Sequence, residues 1–342
     1  MLSCEKPTLV ERIVNVFPGS YFVKCLLFSS VFGVPFLLLT RFLDTLNVEA
    51  ALGVFGPLLW QDVVTFSFAN FVLVFYAVYG VHYMRSKIAS IMPQVEPVMP
   101  GGENAASKVF GQVCRLFPAL VLSVLLGIVS LVSFPTQGEH AAGPFSFGMV
   151  VLSFPFVYLA YGSFVWVYLS SIKSLYGIGR QPLRLVEFHE DAHFGMKPFG
   201  SLSLSLALVY FTGLGLVFFS FLSIPLPLEL AVGVLILMGI ILFFSPLEVI
   251  HHKMRAKKRN ELDKVKGHLK QITSSLGDPV LALSRVDVKS LKRMFAVDAM
   301  QRQVTAMPEW PFDTRTLTLL SAIVLTVVAS IVTKYVMLFL RL

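Results

Sequence analysis

The sequence predicts an all-α polytopic integral membrane protein of about seven transmembrane helices, with a cytoplasmic helical hairpin between spans six and seven. Three observations carry this prediction. Of the 342 residues, 56% are hydrophobic and only 14% are charged, whereas soluble domains carry roughly 25% charged residues; the mean hydropathy is +0.75. Apolar runs long enough for a bilayer recur along the chain, and the cations gather in alternate connections between them. The stretch Pro227–Lys270 shows both features at once: an apolar run from Leu230 to Leu247 turns at Ile250 into His251-His252-Lys253-Met254-Arg255-Ala256-Lys257-Lys258-Arg259.

Residues 1–19 form an amphipathic N-terminal segment. Leu9, Val10, Ile13, Val14 and Phe17 share one helical stripe, with Glu11, Arg12 and Asn15 off it, which predicts a short helix lying in the headgroup region. Charged residues before the first apolar run, and the lack of a small-residue cleavage site after it, argue against a cleavable signal peptide.

Residues 20–249 hold six spans. They are placed at Tyr21–Thr40, Val64–Tyr83, Leu116–Pro135, Phe147–Ser170, Ser201–Ile224 and the run ending at Leu247. Segment 43–60, broken by Asp44, Glu49 and Gly56-Pro57, reads as re-entrant or interfacial, because no charge-free run in it reaches ~18 residues. The breakers Pro93, Pro97 and Pro100-Gly101-Gly102 predict a loop over Met92–Lys108. Thr316–Leu340, within the final segment 313–342, is the seventh span. All but four of the 28 Lys and Arg then fall on one side, the exceptions being Lys24, Arg41, Lys334 and Arg341. That bias puts the chain in a cell membrane with the N-terminus cytoplasmic and the C-terminus outside, and it accounts for the +8 net charge without a nucleic-acid partner.

Residues 250–312 have their own pattern. Leu262, Val265, Leu269, Ile272 and Leu276 repeat at 3-4 spacing, an a/d stripe. After Gly277-Asp278-Pro279, a second stripe runs through Val288, Leu291, Phe295, Met300 and Val304. Span six therefore continues as a stalk, 250–276 projecting roughly 40 Å, and a second helix returns along it. Two heptads are too few to stand alone. The segment 250–304 thus predicts a homo-oligomer or a membrane-complex partner, alongside the lipid bilayer itself.

Candidate chemistry is sparse. Glu187, His189, Glu190, Asp191 and His193 crowd together before the fifth span, and Glu248, His251 and His252 mark the inner end of the sixth. The His189-x-x-x-His193 spacing suits one helix face and a divalent metal, and a meeting of the two clusters would complete such a site; ion pairing with Arg180, Arg184, Arg255 and Lys257 is the plainer reading. The inner-side histidines are too few for a membrane di-iron oxygenase, and no HxxHH, GxSxG or HxxxxD motif is present. Every Asp and Glu falls in a loop or at a helix end, which argues against a proton- or sodium-coupled carrier. Cys4, Cys25 and Cys114 lack paired spacing and read as apolar filler or thiols. Ser203, Ser205, Thr212, Ser321, Thr326 and Ser330 put hydroxyls on spans five and seven, where they suit a polar pore wall or helix packing.

Three functional classes follow. The first is a channel- or transport-like protein with a stalk for assembly or gating. The second is a non-catalytic membrane scaffold or sensor subunit of a larger complex. The third, a lipid-acting enzyme using the inner His/Glu cluster, has the least sequence support.

Overall fold

The computed structural model describes residues 7–31, 60–133, 144–187, 190–220, 226–275, 288–312 and eleven positions between 318 and 333. Among them every regular element is helical and no strand occurs. Segment 43–59, His189, the connection 276–287, Ser330 and Lys334 lie outside the described residues.

Helix α1 (Leu9–Val14) starts at a reciprocal cap. The Thr8 hydroxyl accepts from the Glu11 amide while the Glu11 carboxylate accepts from the Thr8 amide at 2.8 Å. Helix α1 packs against the bundle, with Val10, Val14 and Glu11 all buried. Glu11 faces inward because α1 is flanked by two long helices, and its charge finds a partner there. After a left-handed Gly19, α2 (Tyr21–Val31) follows, its Cys25 and Phe28 in the same cluster as Val10 and Val14.

Helix α3 (Trp60–Val95) runs past the exit expected at Arg85 and Lys87. A 3-10 turn, Glu96–Val98, and α4 (Gly102–Phe110) come next, in place of the expected loop. Burial explains the difference: Ile88, Ile91, Met92, Val95, Val98, Met99, Ala106, Phe110 and Val113 all enter the largest core cluster, and Pro93 sits in the last turn of α3, where a missing amide disturbs least of the helix.

Helix α5 (Leu116–Ser133) lies along α6 (Pro144–Arg180) and turns a continuous apolar face outward, with Phe117 77% exposed beside Val121, Val124, Leu125 and Ile128. A surface of that kind is suited to lipid. Helices α3, α6, α7 (Lys197–Ser220) and α8 (Leu226–Ser275) form the central bundle. Among the described residues, three segments are long and apolar enough to cross a membrane: Pro155–Arg180, Lys197–Val217 and Gly233–Ser274. Tyr21–Val31 and Leu116–Val129 are shorter apolar helices.

Helix α8, at 50 residues, is about 75 Å long, and it joins the apolar bundle to a polar half that starts near Ile250. Helix α9 (Val288–Ala306) packs back along that polar half. Its seam differs from the expected stripe. Val304 is fully buried and Val297 and Gln301 are half-buried, whereas Phe295 and Met300 are exposed. Val297 and Val304 are seven residues apart, two turns on one face, and Phe295 falls on the other side of the helix. Beyond α9, Trp310 and Phe312 pack into the cluster of Phe211, Phe243 and Leu247, and the described positions from Thr318 onward are helical.

Candidate functional site

The candidate site is the joint at which α8 leaves the bundle. Gly179 of α6 lets the helices approach closely, since a Cβ there would lie 3.3 Å from Val249. Ile250 and Met254 are fully buried on that side. On the adjoining side the His251 ring stacks on Trp310 at 4.2 Å between centroids and 15° between planes. Its Nδ1 lies 2.8 Å from the Glu309 carbonyl oxygen; a carbonyl only accepts, so Nδ1 carries the proton.

Glu309 also anchors the return segment through its side chain. Its carboxylate lies 3.9 Å from Arg255 and 3.6 Å from Lys258, and Lys258 donates to the Met307 carbonyl at 2.7 Å. Lys253 reaches the other way and donates to the Gln181 carbonyl at the end of α6. Burial holds the Lys253 ammonium below the ordinary lysine value. The joint thus ties α6, α8 and the 307–312 segment into one unit. His252 stands apart, exposed, 3.8 Å from an equally exposed Glu248.

The acidic cluster before α7 has a different role. Asp191 accepts from the His193 amide at 3.0 Å and from the Gly195 amide at 2.7 Å. It thereby closes a turn in which Phe194 and Gly195 both take positive φ and Phe194 and Met196 plug the main core. The His193 ring lies 3.9 Å from the same carboxylate. Glu187 and Glu190 share that turn through a backbone bond, and His189 lies outside the described residues. Each cluster finds its contacts close at hand, His251 with Trp310 and Glu309, Asp191 with His193 and Gly195. Among the described residues, no three His, Cys, Asp or Glu side chains gather as a metal site would need.

The hydroxyl candidates split into two groups. Ser203 is buried and donates to the Phe243 carbonyl at 3.3 Å, and Ser205 is buried and donates to the Ser201 carbonyl at 2.9 Å. The first bond joins α7 to α8, and the second returns to the backbone of α7 itself. Thr212, Ser321 and Thr326 face outward, with Thr326 donating to the Ala322 carbonyl at 2.7 Å. Ser330 lies outside the described residues.

Sequence reasoning missed a buried ionic cluster under α1. Arg85 donates to Glu11, and His82 Nδ1 lies 3.4 Å from the same carboxylate. The His82 ring stacks on Tyr21 at 3.8 Å and 22°. Burial pushes the Glu11 carboxyl upward, but the contacts with His82, Arg85 and Thr8 outweigh it and leave the group below the ordinary carboxylate value. The signal available in the sequence is the Thr8-x-x-Glu11 capping box. No protein-family model, curated protein or solved structure matches the chain.

Proposed function

We propose that the chain is a multi-pass membrane protein of about seven spans, N-terminus cytoplasmic and C-terminus outside, that acts as a non-catalytic scaffold or sensor subunit. Its working surface is the helical pair formed by the polar half of α8 and by α9, turned toward the cytoplasm as a hairpin. One observation carries this reading: the joint built on His251, Trp310, Glu309, Arg255 and Lys258 makes the polar pair a rigid extension of a bundle helix. A rigid arm presents a surface at a fixed height and orientation, as an assembly platform requires. The two buried serines spend their hydroxyls on backbone carbonyls, Ser203 on α8 and Ser205 on its own helix, which favours this reading over a polar wall inside one chain.

The channel- or transport-like reading draws on a different observation. Thr212, Ser321 and Thr326 face outward, and such hydroxyls could line a pathway formed between copies. A lipid-acting enzyme gains no geometric support, because no three of the described His, Cys, Asp and Glu side chains gather at one point.

The test joins two measurements. In mild-detergent extracts of native membranes, the chain should migrate in a complex larger than its own 38.0 kDa in detergent, and in proteoliposomes it should pass no more ions than empty vesicles. A solitary chain that carries selective ion flux would overturn the scaffold reading in favour of conduction.

A further inference from the structure

The polar pair is strongly and unevenly charged. Segments 253–275 and 288–306 contain twelve Lys and Arg against three Asp and Glu. Two of those three acids are neutralised internally. Glu261 holds Lys257 at 3.2 Å and Lys264 at 2.9 Å, and Asp298 holds Arg302 at 2.9 Å. Among the described residues, Arg259, Lys266, Lys270, Lys292 and Arg293 form no ion pair. The outer surface of the pair is therefore a field of uncompensated positive charge.

An apolar feature sits inside that field. The α9 face that meets α8 is marked by Val297, Gln301 and Val304, and at 100° per residue the opposite face holds Lys292, Phe295, Ala299 and Arg302. Phe295 is 63% exposed, with Ala299 exposed on the same face and Ala296 exposed beside it. A large aromatic ring next to two alanines makes a shallow step, and a neighbouring helix can lie against it.

The charge selects the occupant. A second copy would bring the same excess of cations and be repelled. A nucleic acid would use the cations but leave the exposed Phe295 ring, with Ala299 beside it, without an apolar partner. Met307 is tied at Lys258 and Phe295 lies nine residues before Val304, so the ring stands roughly 14 Å farther along the arm, away from the apolar half; that distance disfavours the chain's own bilayer.

We infer that the outer face of α9 docks an acidic amphipathic helix of a partner protein, with Phe295 as the apolar anchor, and with Lys292 and Arg302 facing its carboxylates, Arg302 exchanging its exposed pair with Asp298 for one of them. This is the helix-against-helix mode, read as apolar anchors at i, i+3, i+4 and i+7 with charges on the flanks. It rests on the scaffold reading above and names the chemistry of the partner. Anchor and charges divide the work: the ring supplies affinity, and the cations supply orientation and on-rate.

The experiment uses the full chain in nanodiscs of neutral phosphatidylcholine. The probe is a fluorescent helical peptide of about 18 residues, long enough to cover five turns, with leucines at the anchor spacing and glutamates on both flanks; binding is read by anisotropy. Three controls are run: the same peptide with lysines for glutamates, polyglutamate without leucines, and single-stranded RNA. The acidic amphipathic peptide alone should bind well, and Phe295→Ala should weaken it by about tenfold or more, as loss of an anchor does. Since Phe295 is exposed, that variant should fold as the parent does, which its unfolding midpoint checks. Lys292→Glu with Arg302→Glu should transfer preference to the lysine peptide. Binding unchanged by Phe295→Ala, or polyglutamate or RNA binding as tightly as the amphipathic peptide, would overturn the proposal. Native complexes separate its failure from that of the scaffold reading. A large complex in membranes that survives both sets of substitutions leaves the scaffold reading standing and removes the α9 docking face, whereas the absence of any complex removes the scaffold reading and, with it, that docking face.

Discussion

The Arg85 guanidinium donates to the Glu11 carboxylate across 74 positions of sequence. Both side chains are withdrawn from solvent, Glu11 more completely than Arg85. This pair, rather than an apolar face alone, ties α1 to α3. Removing one member of a buried pair leaves the other charge uncompensated, at a cost of about 3 kcal/mol. Glu11→Gln should lower the denaturant midpoint of the detergent-solubilised protein accordingly, and Glu11→Leu with Arg85→Leu should recover much of that loss. A Glu11→Gln protein as stable as the parent would show that the pair contributes nothing.

The same carboxyl sets a pH dependence. Its folded value lies below the ordinary 4.5, so the folded state binds the proton less tightly than the unfolded chain does. The stabilisation is therefore fully present above about pH 4.5 and is lost as pH falls through the lower folded value. Acid titration of the unfolding midpoint should show this decline in the parent and a shallower one in Glu11→Gln.

These residues show where the sequence stops being readable. The start of α5 at Leu116, the apolar course of α7 and the continuation of α8 into a polar half all follow from patterns within one helix, which a single sequence displays directly. Glu11 and Arg85 each carry an ordinary interfacial pattern, and only their meeting across the fold makes them a buried pair. The segment 92–113 was obscured for a related reason. Its prolines and glycines are conspicuous, whereas the burial of Val95, Val98, Met99 and Phe110 depends on α6 and α7 standing opposite. At the candidate site, His251 and His252 were legible as a joint. The partners Trp310 and Glu309 were not, because they return from almost sixty residues away.

Two glycines should respond in opposite directions. A Cβ on Gly200 would run into the Pro311 carbonyl oxygen, backbone that cannot swing aside. Gly200→Ala should therefore displace the 307–312 segment and destabilise the protein by about 2 kcal/mol, within the range for overpacking. Gly267, in the polar half of α8, has nothing within 4 Å of a built Cβ, and Gly267→Ala should stabilise the helix by about 1 kcal/mol. Thermal unfolding of the two variants beside the parent reads both signs.

The joint makes a prediction about motion rather than global stability. Trp310 packs against the His251 ring and lies near Phe244 and Phe312, while the Glu309 ion pairs are half-exposed and worth at most about 1 kcal/mol together. Trp310→Ala should speed amide exchange across 304–312 and along α9 while leaving α3 and α6 protected. Glu309→Gln should change exchange far less. Equal effects of the two substitutions would show that the ion pairs, not the aromatic stack, hold the return segment.

Asp191 offers the last test, because its two readings part cleanly. As a metal ligand its loss would lower bound metal with little effect on folding. As the turn-closing acceptor seen here, it holds two backbone amides, at 3.0 and 2.7 Å, each worth about 1 kcal/mol. The turn it closes carries positive φ at Phe194, a conformation that a non-glycine residue keeps only when its surroundings enforce it. Asp191→Ala should therefore cost about 2 kcal/mol, and Asp191→Asn should recover part of that, since its amide oxygen still accepts one bond. Elemental analysis of parent and variants should find the same substoichiometric metal content in all three. Stoichiometric metal in the parent that vanishes in Asp191→Ala, with stability unchanged, would reverse the assignment.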